Sequence, residues 1–260
     1  MTYSIVARDA GSGAYGVAVA SRFFAVGALV PHMRGGVGAI ATQAFVNPLY
    51  GTDGIDLLAQ GMSAEDVLTT VTGRDAGRQQ RQVHLVDGRG LAAAFTGEIC
   101  IDWAGHRVGD GVSVAGNMLT GPEVVAATFE AYQANPGLPF AERLLTAMEA
   151  GEAAGGDKRG RQSAALKIVH GEAYSWLDIR TDDHADPLPE LRRLYAVAQE
   201  RFLLFAELLP TAGNPSGALD RADIDRRIAE REAARIAEGR PSPSHATGSP
   251  VIKPVREPSR

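Results

Sequence analysis

The first hairpin of this chain is apolar on both of its faces, and that constrains the fold more than any other stretch. Residues 2–9 alternate Tyr3, Ile5 and Ala7 with Thr2, Ser4, Val6 and Arg8, a period of two that predicts a strand. Asp9-Ala-Gly-Ser-Gly-Ala-Tyr-Gly16 is rich in turn residues, and residues 17–21 are again strand-like, so a hairpin is predicted. Gly11, Gly13 and Gly16 have the spacing of a dinucleotide fingerprint, but that motif must open a helix and here a strand follows. A dinucleotide-binding fold is therefore rejected.

Further strands are predicted at residues 38–46, 82–86, 90–95, 112–115, 163–169 and 174–179, with Asp87-Gly88 and His170-Gly171 as turns between neighbours. Several are apolar on both faces, and such strands need cover on each side, from helices or a second sheet. Helices are expected at residues 53–60, 63–71, 122–134 and 140–150; Ser63 with Asp66 three residues on reads as a helix start. Strands, helices, strands, helices is the order of a layered α+β body rather than an alternating parallel sheet.

Asp186-Pro187 predicts a side-chain cap followed by proline in the first turn, and Pro210 limits the helix that follows. Along it Leu188, Leu191, Tyr195, Ala198, Phe202, Phe205 and Leu209 form a stripe spaced by threes and fours. That stripe packs either on its own domain or on a second copy, which would make a homodimer. The organisation expected is a main domain over residues 1–210, a charged helical extension over 211–240, and a disordered tail over 241–260 that is rich in Pro and Ser.

With 260 residues and 45% hydrophobic content, one sizeable core is expected. The net charge of −5 offers no basic surplus for nucleic acid or an anionic membrane. Cys100 is the single cysteine, which excludes an intramolecular disulfide and a cysteine-ligated metal site. No signal peptide or membrane span is read, and the expected location is the cytoplasm.

Thr2 carries the main chemical expectation. If the initiator methionine is removed, its hydroxyl acquires a base in the same residue, because an α-amine titrates at about 7.7–8.0 and is partly neutral near physiological pH. Threonine after methionine is also common with no catalytic meaning. The opening strand, the glycine-rich turn and Gly16-Val-Ala-Val-Ala-Ser-Arg22 resemble the first hairpin of N-terminal-nucleophile hydrolases such as proteasome β subunits. More specifically, residues 2 to about 194 resemble the bacterial family known as domain of unknown function 1028. The motifs behind this are Ala20-Ser-Arg-Phe-Phe-Ala-Val-Gly27, Ala41-Thr-Gln43, Arg81-Gln82, Trp103-Ala-Gly-His106, Gly116-Asn117, Gly155-Gly-Asp-Lys-Arg-Gly-Arg-Gln-Ser-Ala-Ala165 and Leu177-Asp-Ile-Arg-Thr-Asp-Asp-His184. The resemblance implies a four-layer αββα sandwich and supplies no substrate.

Asn117 is the candidate oxyanion donor beside Thr2, the alternative being a turn asparagine. Ser21 is read as a supporting hydroxyl. Arg22 could grip a substrate carboxylate or form a structural ion pair. The loop 155–163, with Asp157, Arg159 and Arg161, is dense in donors and suits an anionic or peptide-like ligand, unless those residues pair internally to pin strand ends. Gln43 and Gln82 are candidate partners for a substrate amide. The cluster Asp178, Asp182, Asp183, His184 and Asp186 is better explained by helix-start chemistry than by a metal. No cofactor and no metal are expected. The leading expectation is an amidohydrolase or acyl-transfer enzyme acting on a small or peptide-derived amide; the alternative is a noncatalytic small-molecule-binding protein on the same scaffold.

Overall fold

The computed structural model describes residues 2–247. Among the described residues, ten strands form two antiparallel sheets. The larger has the order β10-β9-β2-β1-β8-β7, from β1 (Thr2–Arg8), β2 (Tyr15–Ser21), β7 (Trp103–Gly109), β8 (Val112–Leu119), β9 (Ser163–Val169) and β10 (Ser175–Thr181). The smaller has the order β3-β4-β5-β6, from β3 (Pro31–Arg34), β4 (Gly38–Ala44), β5 (Arg81–Asp87) and β6 (Ala92–Thr96). The helices are α1 (Leu49–Ala59), α2 (Ala64–Gly73), α3 (Glu123–Ala134), α4 (Phe140–Ala153), α5 (Pro187–Glu200), α6 (Phe202–Ala206) and α7 (Arg221–Ala237).

The alternation of β1 sends Tyr3, Ile5 and Ala7 into a core shared with Val124 and Phe129 of α3, Leu144 and Met148 of α4, and Leu191 and Tyr195 of α5. Its other face contributes Val6 to a core between the sheets, with Val17 and Val19 of β2 and Ala39, Ala41 and Val86 of the smaller sheet. A third core joins Ile40, Val83 and Leu85 to Ile55 and Leu58 of α1 and Val67 and Val71 of α2. This is the two-sided cover that the apolar strands require. Gly16 makes one of these approaches close: a Cβ there would lie 2.5 Å from Leu144 Cδ1.

Ser63 caps α2, accepting from the Asp66 amide at 3.2 Å, as the sequence predicts. Two strands escape prediction. β3 has four residues and opens on Pro31, and β7 is an edge strand whose residues are partly or fully exposed, so neither carries an apolar alternation.

Two expectations near the C-terminus are corrected. The striped helix is broken at Arg201 (φ −141°), which separates α5 from α6. Leu188, Leu191, Tyr195 and Ala198 are buried within the chain, whereas beyond the break Leu203 and Leu204 turn inward and Phe202 and Phe205 outward. Asp186 precedes α5 but makes no side-chain cap; its carboxylate instead pairs with Arg161 at 2.5 Å. Within α7, Ile224 and Ile228 pack with Leu204. Residues 241–247 have no regular structure, yet the Pro243 carbonyl accepts from Arg193 at 2.7 Å; the rest of the expected tail lies outside the described residues. Among the described residues, no helix is long and apolar enough to cross a membrane.

Candidate active site

Strand pairing builds a polar row at one end of the larger sheet. Thr2 is opposite Ser21 of β2 on one side and Asn117 of β8 on the other, and Ser21 is in turn opposite Ser163 of β9. Side chains alternate along a strand, so Thr2 shares the face of Val6, Ser21 that of Val19, and Ser163 that of Ala165, all facing the space between the sheets. Asn117 shares it too, because its Nδ2 reaches Gln82 Oε1 of the smaller sheet at 3.0 Å. Thr2 Oγ1 is 3.1 Å from Ser21 Oγ, and Thr2 is 7% exposed.

Behind the row, a chain of buried polar groups crosses between the sheets. Ser4 donates its hydroxyl to Gln43 Oε1 at 2.7 Å and lies 2.8 Å from His84 Nε2. With the serine proton committed to Gln43, His84 Nε2–H is the donor to Ser4, and His84 Nδ1 accepts from the Ser113 hydroxyl at 3.1 Å. Gln43 Nε2 donates to Gln82 Oε1 at 2.8 Å and to the Ala115 carbonyl at 3.2 Å. Gln82 Nε2 faces the Gly116 and Gly105 carbonyls and Thr96 Oγ1. His84 is fully buried and neutral: desolvation, followed by the neighbouring His106, lowers its pKa to about 3. Gln43 and Gln82, the candidate partners for a substrate amide, are buried, and their amides bond each other, the backbone and Asn117.

The donor-rich loop sits against the row. Asp157, buried, accepts from the Arg22 amide at 2.7 Å and the Arg159 amide at 2.8 Å, and its carboxylate pairs with the Arg159 guanidinium at 3.3 Å. The Gln162 amide donates to the Ser21 carbonyl, and Arg22 Nη1 donates to Gln162 Oε1. Lys158 reaches Asp102 at 3.3 Å. Gly155, at φ +123°, closes the loop onto Thr120, where a Cβ would fall 2.3 Å from Oγ1. Arg161 commits both sides of its guanidinium to Glu152 and Asp186, each at 2.5 Å. For Arg161, and in part for Asp157 and Arg159, the internal pairing that competed with ligand binding is what the structure holds. Arg22 keeps an exposed side chain.

Thr2, Ser21 and Asn117 are thus brought together, with Arg22, Asp157 and Arg159 on the adjoining segments. Ser163 and Gln162 belong to the donor-rich loop 155–163, but the sequence does not single them out. Ser163 Oγ donates to the Phe23 carbonyl at 2.6 Å and accepts from the Val26 amide at 3.2 Å, so it fastens the segment that follows β2. The register that reveals this, Ser21 opposite Ser163, is a pairing of residues far apart in the chain.

The fold and site define an α/β protein of two packed antiparallel sheets whose N-terminal strand delivers a threonine to a polar sheet end. The chain belongs to the family of unknown function DUF1028, whose model matches residues 2–191. It is similar to protein SPO2555 from Silicibacter pomeroyi, known from a crystal structure of the same family, with 34% identity over 84% of this chain and 99% of that one and a TM-score of 0.77. A more remote match is Anbu, the ancestral β-subunit from Yersinia bercovieri, at 11% identity over 80% of this chain and 99% of that one, with a TM-score of 0.39. No curated protein matches the chain.

Proposed function

We propose that this protein is an amide hydrolase or acyl-transfer enzyme of the N-terminal-nucleophile type, on a four-layer αββα scaffold, with Thr2 as nucleophile. The order of the cores, helix on sheet, sheet on sheet and sheet on helix, supports the layering. The observation that carries the chemistry is the row Asn117, Thr2, Ser21 on one face at one sheet end.

Removal of residue 1 frees the Thr2 amine to take the proton of its own hydroxyl. Oγ1 then attacks the amide carbonyl, and the resulting oxyanion accepts a hydrogen bond from Asn117. One hydrogen of Asn117 Nδ2 is held by Gln82, which leaves the other to donate. The C–N bond breaks, the leaving amine receives the proton from the Thr2 ammonium, and water or another acceptor takes the acyl group from Oγ1. Ser21 orients the Thr2 hydroxyl, and Arg22 is placed to hold an anionic group of the substrate.

Intact mass establishes whether residue 1 is removed, and a panel of small and peptide-derived amides measures turnover. Thr2→Ala is expected to abolish hydrolysis. Undiminished turnover in that variant, or hydrolysis by chain retaining Met1, refutes the mechanism. The burial of Thr2 favours the second reading, a binding protein without turnover, for which stabilisation by a small amide that is never cleaved is the expected result.

A further inference from the structure

Three loops leave the strand ends around the polar row, and each projects large apolar side chains into solvent. Phe23 and Phe24 follow Ser21 and Arg22, Phe45 follows β4, and Ile99 and Ile101 lie between β6 and β7; their exposures run from 52% to 67%. Hydrogen bonds tie two of these loops to the row and its neighbour, and hold two on the segment before β5. The Phe23 carbonyl is held by Ser163 of the row. The Ile101 carbonyl accepts from Met118, the residue after Asn117, at 3.2 Å. The amides of Phe45 and Ile99 donate to the carbonyls of Gln80 and Gln79.

The backbone at these points is strained. Among the described residues, the non-glycine residues with left-handed φ are Ala25 (52°), Ala44 (69°), Asp102 (56°) and Met118 (54°). Ala25 directly follows Phe24, Ala44 precedes Phe45, Asp102 follows Ile101, and Met118 follows Asn117. Left-handed backbone disfavours residues bearing a Cβ, and exposing apolar side chains forgoes their burial. Both costs fall on the same loops, at the sheet end that carries the row. Grouped exposed apolar residues are the mark of a surface that receives something apolar.

We infer that the substrate carries an apolar acyl or aryl group on its scissile amide, and that Phe23, Phe24, Phe45, Ile99 and Ile101 receive that group. The inference rests on the reading of the row as the reacting end. Position decides for substrate over a second protein, because the Phe23 and Ile101 loops are bonded to Ser163 and to the residue after Asn117, and the Phe45 loop is bonded to Gln80, next to the Gln79 that holds the Ile99 loop.

The test uses full-length protein lacking residue 1 and two β-lactones, one with a hexyl substituent and one with a methyl. In each, Thr2 Oγ1 attacks the ring carbonyl, the ring C–O bond opens, and the released alkoxide takes the hydroxyl proton by way of the Thr2 amine; the adduct is read by intact mass and peptide mapping. The hexyl lactone is expected to acylate Thr2 at least about tenfold faster than the methyl lactone, and that ratio is expected to fall towards one in Phe23→Ser/Phe45→Ser. Acylation of Thr2 without chain preference, or a preference the substitutions do not reduce, overturns the inference and leaves the nucleophile standing.

A second measurement needs no chemistry. In Thr2→Ala protein, octanamide but not acetamide is expected to raise the midpoint of thermal unfolding, and the phenylalanine substitutions are expected to abolish the rise. That result without any acylation of Thr2 supports the apolar site and refutes the nucleophile. Octanamide without effect, or a dimer in sedimentation that the same substitutions dissolve, overturns the inference.

Discussion

His84 makes acid the sharpest probe of the inter-sheet core. Folding keeps this imidazole neutral, with a pKa of about 3 against an ordinary value of 6.5. As the pH falls below 6.5 the unfolded chain takes up a proton on His84 while the folded chain does not, so its contribution is intact above pH 6.5 and drains away towards pH 3. The full span is 3.5 pKa units, about 5 kcal/mol, of which about 2 kcal/mol is lost by pH 5. Burial also lowers the pKa of His32 and His106, which adds to the slope with the same sign. Urea unfolding at pH 7.5, 6.5, 5.5 and 5.0, followed by the fluorescence of Trp103 and Trp176, gives the wild-type slope. His84→Gln, neutral throughout, isolates the His84 share. The variant is expected to be less stable at pH 7.5 but to lose about 2 kcal/mol less than wild type on going to pH 5. If its slope equals that of wild type, His84 is not held neutral in the folded state and the argument fails.

The amide relay yields a second outcome. Gln82→Met removes the one oxygen that accepts from both Gln43 and Asn117, and is expected to cost about 2–4 kcal/mol in urea unfolding; a loss below about 0.5 kcal/mol would mean the relay is not formed. Asp157→Asn leaves a single amide oxygen where a carboxylate serves the Arg22 and Arg159 amides, and exchange of those two hydrogens is expected to quicken about tenfold. Unchanged exchange would show that Asp157 does not pin this loop.

Local signals account for most of what was legible in the sequence. The period-two pattern of residues 2–8, the matching run in β9 and the Ser63 cap all depend on residues near one another in the chain. The two-sided apolar strands, together with the family resemblance, pointed to stacked layers. What stayed hidden depends on register. Gln43 and Gln82 look like polar strand-end residues until β4 is paired with β5 and laid against β8. The stripe from Leu188 to Leu209 is continuous in sequence, and only the backbone turn at Arg201 shows that it serves two helices. Arg161 carries no mark of its partners, Glu152 and Asp186, which α4 and the segment before α5 bring to it.

The strand order has a consequence for biosynthesis. The hairpin of β1 and β2 precedes the other strands in the chain and is the middle of the finished larger sheet, flanked by β8 and β9. The β1 edge stays open until residues 112–119 leave the ribosome and the β2 edge until residues 163–169 do, which is the condition that invites strand-to-strand aggregation. Nascent chains stalled before β9 are therefore the species most in need of a chaperone.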